Sequence, residues 1–133
     1  MTDSSIPSGK SSLVLTLLRI LDPNSGTIHI DGVGLSTVPR EQARSKLNAV
    51  PQDPFFLKDT YRANMDPHAR CSDAQILAAL EQIGLWNAVA CKGGLDGDMH
   101  AEQWSQGERQ LLCLARAMLR GGNVLILDEV TSR

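Results

Sequence analysis

One stretch, WSQGERQLLCLARAMLRGGNVLILDEV, constrains the fold of this 133-residue chain more than any other. Leu111, Leu114, Ala115 and Met118 recur at intervals of three and four, the stripe of a helix running from about Ser105 to Arg120, and Gly121-Gly122 stops it. The apolar run Val124-Leu125-Ile126-Leu127 that follows has the composition of a strand buried on both faces, as in a parallel sheet. Asp128 and Glu129 end that strand. In doubly wound sheets ligands bind beyond the carboxyl ends of the strands, so this acidic pair is expected to face a ligand.

The other end of the chain supplies a candidate for what that ligand is. Ser8-Gly9-Lys10-Ser11-Ser12 carries the last part of G-x-x-x-x-G-K-[ST], in which backbone N–H groups wrap a polyphosphate, the lysine reaches the outer phosphates and the hydroxyl holds magnesium. Ser4 stands where the first glycine belongs, and Pro7 brings no N–H to the loop. Leu13, Val14, Leu17, Leu18 and Leu21 stripe a helix over 10–21 that begins at the Gly-Lys-Ser, where the N–H groups and dipole of a helix start attract phosphate.

Composition narrows the function classes. A chain 42% hydrophobic and 21% charged is long enough for one buried core. Its net charge of −2 and scattered basic residues give no footprint for nucleic acid. No apolar run reaches the roughly 18 residues of a membrane span, and the stretch after Lys10 lacks the cleavage site of a signal peptide. Cys71, Cys91 and Cys113 are odd in number and widely spaced, which fits reduced thiols, and His29, His68 and His100 lack metal-site spacing.

Between the two ends the sequence predicts a turn at 22–26, a strand over 27–30 closed by Asp31-Gly32, a helix over 39–46 and a strand over 47–50 that leads to Gln52. Phe55-Phe56 reads equally as a core plug or as a surface contact. Ile76, Leu80 and Ile83 share one face of a helix capped by Ser72 or Asp73 and closed by Gly84. Residues 92–98 read as a flexible acidic connection.

Taken in order, these residues resemble the nucleotide-binding domain of an ATP-binding cassette (ABC) transporter, over nearly the whole chain. Ser8-Gly9-Lys10-Ser11-Ser12 resembles the end of Walker A, Gln52 in VPQDPFFL the Q-loop, Trp104-Ser105-Gln106-Gly107-Glu108 the signature motif, and NVLILDE a Walker B followed by the catalytic glutamate. With ANMDP and QGERQLLCLARAMLR, the likeness is greatest to the second such domain of multidrug-resistance-associated (subfamily C) transporters. The signature departs from the common LSGGQ: Trp104 and Gln106 vary it, and Glu108 puts a carboxylate where an amide is typical.

The resemblance implies an α/β, partial P-loop NTPase (ABC ATPase) fold, with a mostly parallel sheet core and a helical subdomain, incomplete at both termini. Residues 1–52 would run from P-loop to Q-loop, 53–104 would form the helical subdomain, and 105–133 would carry the signature helix and Walker B. It implies ATP and Mg²⁺ as cofactors: Ser8, Gly9, Lys10, Ser11 and Ser12 on the phosphates, with Ser11, Gln52 and Asp128 as metal ligands, directly or through water. Glu129 would polarise the attacking water and Gln52 would assist at the metal. Ser105, Gln106 and Gly107 would act in trans, on nucleotide held by an opposing domain. The implied partners are a second nucleotide-binding domain and the transmembrane domains of a transporter, which places the chain in the cytoplasm, or at the cytoplasmic face of a membrane when part of one.

The family's leading strands with their adenine-stacking aromatic, and its switch histidine, have no counterpart in the sequence. One lost phosphate donor weakens binding by about tenfold to a hundredfold. Weak ATP binding and negligible hydrolysis by this chain alone are therefore expected. A non-catalytic interaction or regulatory module, and an unstable truncated product, are the alternative readings.

Overall fold

The computed structural model describes residues 9–51 and 53–127, the side chain of Ser11 excepted. The chain divides between Leu47 and Asn48 into two compact units.

In the first unit, α1 (Gly9–Leu17) is followed by a hairpin of β1 (His29–Ile30) and β2 (Val33–Gly34), then by α2 (Arg40–Lys46). The strands pair antiparallel with His29 opposite Gly34 and Ile30 opposite Val33. Asp31 (φ 51°) and Gly32 (φ 77°) make the connection, the paired left-handed residues of a two-residue turn whose twist matches that of its strands. The Leu21 periodicity predicts a longer α1, but the helix stops at Leu17 and Arg19 turns left-handed (φ 54°). Arg44 of α2 accounts for the early stop: its Nε donates to Leu18 O at 2.8 Å and its Nη2 to Arg19 O at 3.3 Å, capturing carbonyls that a further turn would have used. The expected apolar stripe is only partly covered, since Val14, Leu17 and Leu18 are half-buried while Leu13 and Leu21 are exposed.

The second unit is mainly helical: α3 (Tyr61–Met65), α4 (Asp73–Gln82), α5 (Trp86–Cys91) and α6 (Gln106–Arg120). Its core is filled by Tyr61, Met65, Ile76, Leu80, Val89 and Leu112, with α3 and α4 both packed on α6. The cap of α4 is Ser72, which forms a reciprocal box with Gln75 and so satisfies two N–H groups at the helix start. The buried face of α6 is only partly the predicted one: Ala115 is buried as expected and Leu114 half-buried, but the face is turned from the expected stripe. Leu112, Cys113, Ala115 and Ala117 go inside, whereas Leu111 and Met118 are exposed. Residues 111–119 are apolar on more than one side, so spacing alone does not choose the face; the fit against α3 and α4 does.

Two strands complete this unit. β3 (Leu47–Val50) and β4 (Val124–Leu127) are hydrogen-bonded neighbours, though almost the whole helical unit separates them in sequence. Asn48, buried on β3, donates its side-chain N–H groups to Ala117 O at 3.3 Å and to Gly121 O, so the end of α6 is fastened to the strand. β4 is not buried on both faces: Leu125 and Leu127 are exposed while Val124 and Ile126 are half-buried. Among the described residues β4 has β3 as its strand neighbour and cover on one side only, which yields alternation in place of a doubly covered run.

Residues 92–98, expected as a flexible connection, are stitched down. Tyr61 N donates to Gly97 O at 3.0 Å, Met99 N donates to Asp59 O at 2.9 Å, and Gly94–Asp96 form a 3₁₀ turn. A Cβ at Gly97 would lie 2.2 Å from Lys92 O, so this turn closes only with glycine there.

Candidate nucleotide site

The candidate residues that the structure describes fall in two segments, one in each unit. In the first unit, Gly9 and Lys10 open α1, both exposed, with Ser11 and Ser12 completing its first turn. No acidic residue occurs in that turn, so none of its own side chains offsets the positive end of the nine-residue helix or the lysine amine. Ser12 O accepts from Thr16 Oγ1 at 2.7 Å, an ordinary intrahelical contact that leaves the Ser12 hydroxyl uncommitted to it. A helix start with a lysine, hydroxyl groups and no carboxylate is a donor set that suits a polyphosphate.

In the second unit the candidate residues Ser105, Gln106 and Gly107 fall at the start of α6. Ser105 is its N-cap: Glu108 N donates to Ser105 Oγ at 3.2 Å, while the Glu108 carboxylate accepts from Ser105 N at 2.8 Å and from the Ser105 hydroxyl at 2.9 Å. These bonds to the charged form, with Lys92 adding a favourable charge, hold the Glu108 pKa below the ordinary carboxylate value. Gln106 and Gly107 follow, both exposed, and a Cβ added at Gly107 would meet open space.

Trp104 anchors this start from below. It is 4% exposed, its Nε1–H donates to Tyr61 Oη at 3.1 Å, and the two rings meet edge to face at 6.0 Å between centroids. Lys92 lies over the Trp104 ring at 5.5 Å and donates to Gln103 Oε1 at 3.0 Å. The aromatic pair at 55–56 is divided: Phe56 is buried and takes the Arg116 guanidinium over its ring at 4.9 Å, whereas Phe55 is 74% exposed. Burial of Arg116 lowers its pKa, although a guanidinium stays charged throughout the physiological range. Asn64, buried, holds the loop before it by accepting from Leu57 N at 2.8 Å and donating to Leu57 O at 3.0 Å and Thr60 O at 2.9 Å.

Ser8, Gln52, Asp128 and Glu129, with the Ser11 side chain, lie outside the described residues. The strands that lead to them are described: β3 ends at Val50, β4 at Leu127, and the two are neighbours. Sequence reasoning missed the role of Glu108 in the cap and of Tyr61 beneath Trp104. The first was readable, because Ser105-x-x-Glu108 ahead of an apolar run is a capping-box pattern. The second was not, since Tyr61 and Trp104 are brought together only by the packing of α3 on α6.

A P-loop type of α/β nucleotide-binding fold is the class that these elements define. Residues 6–132 match the ABC transporter family model, and the chain belongs to that family. It is 47% identical over 125 residues to ABC multidrug transporter B of Aspergillus fumigatus, covering 94% of this chain and 9% of that protein. Identity is 51% over 124 residues to the ABC transporter ecdL of Aspergillus rugulosus (93% and 8%), and 43% over 127 residues to ATP-binding cassette sub-family C member 10 of Mus musculus (94% and 8%). The chain thus spans less than a tenth of the length of these curated relatives.

Proposed function

We propose that this chain is the nucleotide-binding part of an ATP-driven transporter, binding Mg-ATP through the start of α1 to power substrate export in the intact protein. Lys10 neutralises the outer phosphates, and Gly9 with Ser8, Ser11 and Ser12 lines the cradle. Ser11 and Gln52 would hold magnesium and Asp128 would help position it, and Gln52 would also assist catalysis. When bound, magnesium would supply charge neutralisation on the polyphosphate. Glu129 polarises the attacking water as general base. Ser105, Gln106 and Gly107 contact nucleotide held by an opposing cassette, so two cassettes are needed for turnover, and the exposed Phe55 is available to the transmembrane domains. The site faces the cytoplasm. The observation that carries this reading is the exposed lysine at a helix start free of acidic side chains, within a chain that matches the ABC transporter family over 6–132.

Ser4 and Pro7, which depart from the phosphate-binding pattern in sequence, weaken the cradle, so the 133 residues alone bind ATP weakly and hydrolyse it negligibly without an opposing domain. The test is titration with a fluorescent ATP analogue, comparing the chain with its Lys10→Ala variant. The affinity is expected to fall by about tenfold or more, the scale of a lost charge-assisted contact. Equal binding by both would overturn the reading in favour of a non-catalytic interaction module. Magnesium-dependent turnover that a Glu129→Gln substitution abolishes would overturn the claim of negligible hydrolysis.

A further inference from the structure

Glu108 stands inside the segment assigned above to trans contacts, and its geometry bears on what Ser105 offers there. A serine hydroxyl has one proton to donate. That proton points to the Glu108 carboxylate at 2.9 Å, and the same carboxylate takes the Ser105 backbone N–H at 2.8 Å. The Ser105 oxygen accepts from Glu108 N at 3.2 Å in return. Ser105 is thus bound at its amide, at its hydroxyl proton and at a lone pair, all by one residue. A carboxylate accepts and never donates, so while Glu108 is ionised the hydroxyl proton has a charged acceptor beside it. The bonds that lower the Glu108 pKa also favour that ionised state. A phosphate approaching the open space beside Gly107 meets the oxygen of Ser105 and a negative charge, not a free O–H.

We propose that Glu108 is a positioning residue that withholds the Ser105 hydroxyl from phosphate, setting the strength of the trans contact of this site through the direction of one O–H. The inference rests on the trans role given to the signature segment in the preceding section. A glutamine at 108 still caps the helix through its side-chain oxygen, because Gln serves at this position of a capping box as Glu does. Being neutral, it holds the hydroxyl proton less firmly, as in the Ser72–Gln75 box where the hydroxyl stands 3.3 Å from the glutamine oxygen, so an approaching phosphate can draw the proton outward. The expected gain in phosphate affinity at this end of α6 is about tenfold, from one donor recovered for a charged acceptor.

The probe is inorganic tripolyphosphate, followed by backbone amide NMR of Ser105, Gln106 and Gly107 in the full chain carrying Lys10→Ala. In that background binding at the start of α1 is weakened, and what remains is read separately from the backbone amides at 9 and 10, so failure here is distinct from failure of lysine-dependent ATP binding. Glu108→Gln is expected to produce saturable shifts at 105–107 at about tenfold lower tripolyphosphate than the glutamate chain, with the helical circular-dichroism spectrum retained. Adding Ser105→Ala to the glutamine variant should remove the gain. Equal titrations with Glu and Gln, a gain that survives Ser105→Ala, or shifts spread over the whole chain would each overturn the proposal. A check without substitution at 108 is the Ser105 amide signal, which should follow the ionisation of Glu108 as pH is lowered; a signal that stays fixed would also overturn it.

Discussion

Replacing Tyr61 with phenylalanine removes a single oxygen from the centre of the second unit and leaves the Trp104 indole N–H with no acceptor in its present geometry. Tyr61 is 0% exposed and Trp104 4%, so water has no ready route to take the place of the phenol. The 3.1 Å bond between them is the one that joins α3 to the residue just before the cap of α6. A buried donor stripped of its partner costs about 1–3 kcal/mol, more than the ~1 kcal/mol net value of an average hydrogen bond, because its desolvation is no longer offset. With a urea slope of about 1–2 kcal/mol per molar for a unit of this size, the unfolding midpoint falls by about 1 M. Trp104→Phe in the same background removes the orphaned donor, so the double variant loses less than the sum of the singles, with a coupling of at least about 0.5 kcal/mol. The assay is urea unfolding of the four chains, followed by far-ultraviolet circular dichroism. A Tyr61→Phe cost under about 0.5 kcal/mol, or strict additivity, would refute the argument. The same residue gives a pH dependence with a definite sign. Burial raises the Tyr61 pKa above its ordinary value of 10.0, so the folded chain keeps a proton that the unfolded chain releases. Stability is full below that value and declines as pH climbs from there toward the folded pKa, and Tyr61→Phe abolishes this portion of the alkaline loss.

Two more measurements follow from the packing. Phe56→Ala should cost about 3–5 kcal/mol by emptying a buried site and uncovering Arg116, while Phe55→Ser should change stability by no more than about 0.5 kcal/mol; thermal denaturation separates them, and equal costs would contradict the division of the pair. Cys91 is exposed, whereas Cys113 is buried with its pKa raised by that burial, so a maleimide at neutral pH should label Cys91 in the folded chain and reach Cys113 only in denaturant. Mass spectrometry of the labelled peptides reads this directly, and early labelling of Cys113 would show that α6 packs differently.

The features readable in the sequence were those with a local cause. The strand over 47–50, the helix that opens at Asp73 behind Ser72, and the glycine stop after Arg120 all follow from turn chemistry and capping within a few residues. What escaped was decided at a distance. The early end of α1 depends on Arg44 reaching back to Leu18 O and Arg19 O, and nothing near Leu17 announces it. The buried side of α6 depends on α3 and α4, because its apolar residues are too many to define one stripe. Phe55 and Phe56 are identical in type and adjacent; which one goes inside is set by a loop that Asn64 clamps. At the candidate site, the motif residues were singled out because phosphate chemistry restricts their type and spacing; Ser8, Gln52, Asp128 and Glu129 among them lie outside the described residues. The hydrogen bonds of Glu108 were written in a four-residue pattern, whereas the Tyr61 support under Trp104 required the tertiary fold.

The pairing of β3 with β4 has a kinetic consequence. The segment between those strands contains α3, α4, α5 and α6, so the two edges meet only after a long loop is closed. Loop-closure entropy makes such a meeting slow unless the intervening chain has already collapsed, and helices with their own caps collapse quickly. The helices therefore assemble first and the sheet last, with the Asn48 amide arriving as the clasp. A refolding chain passes through a stage that is helical and compact while the strand leading to the acidic pair is still unzipped.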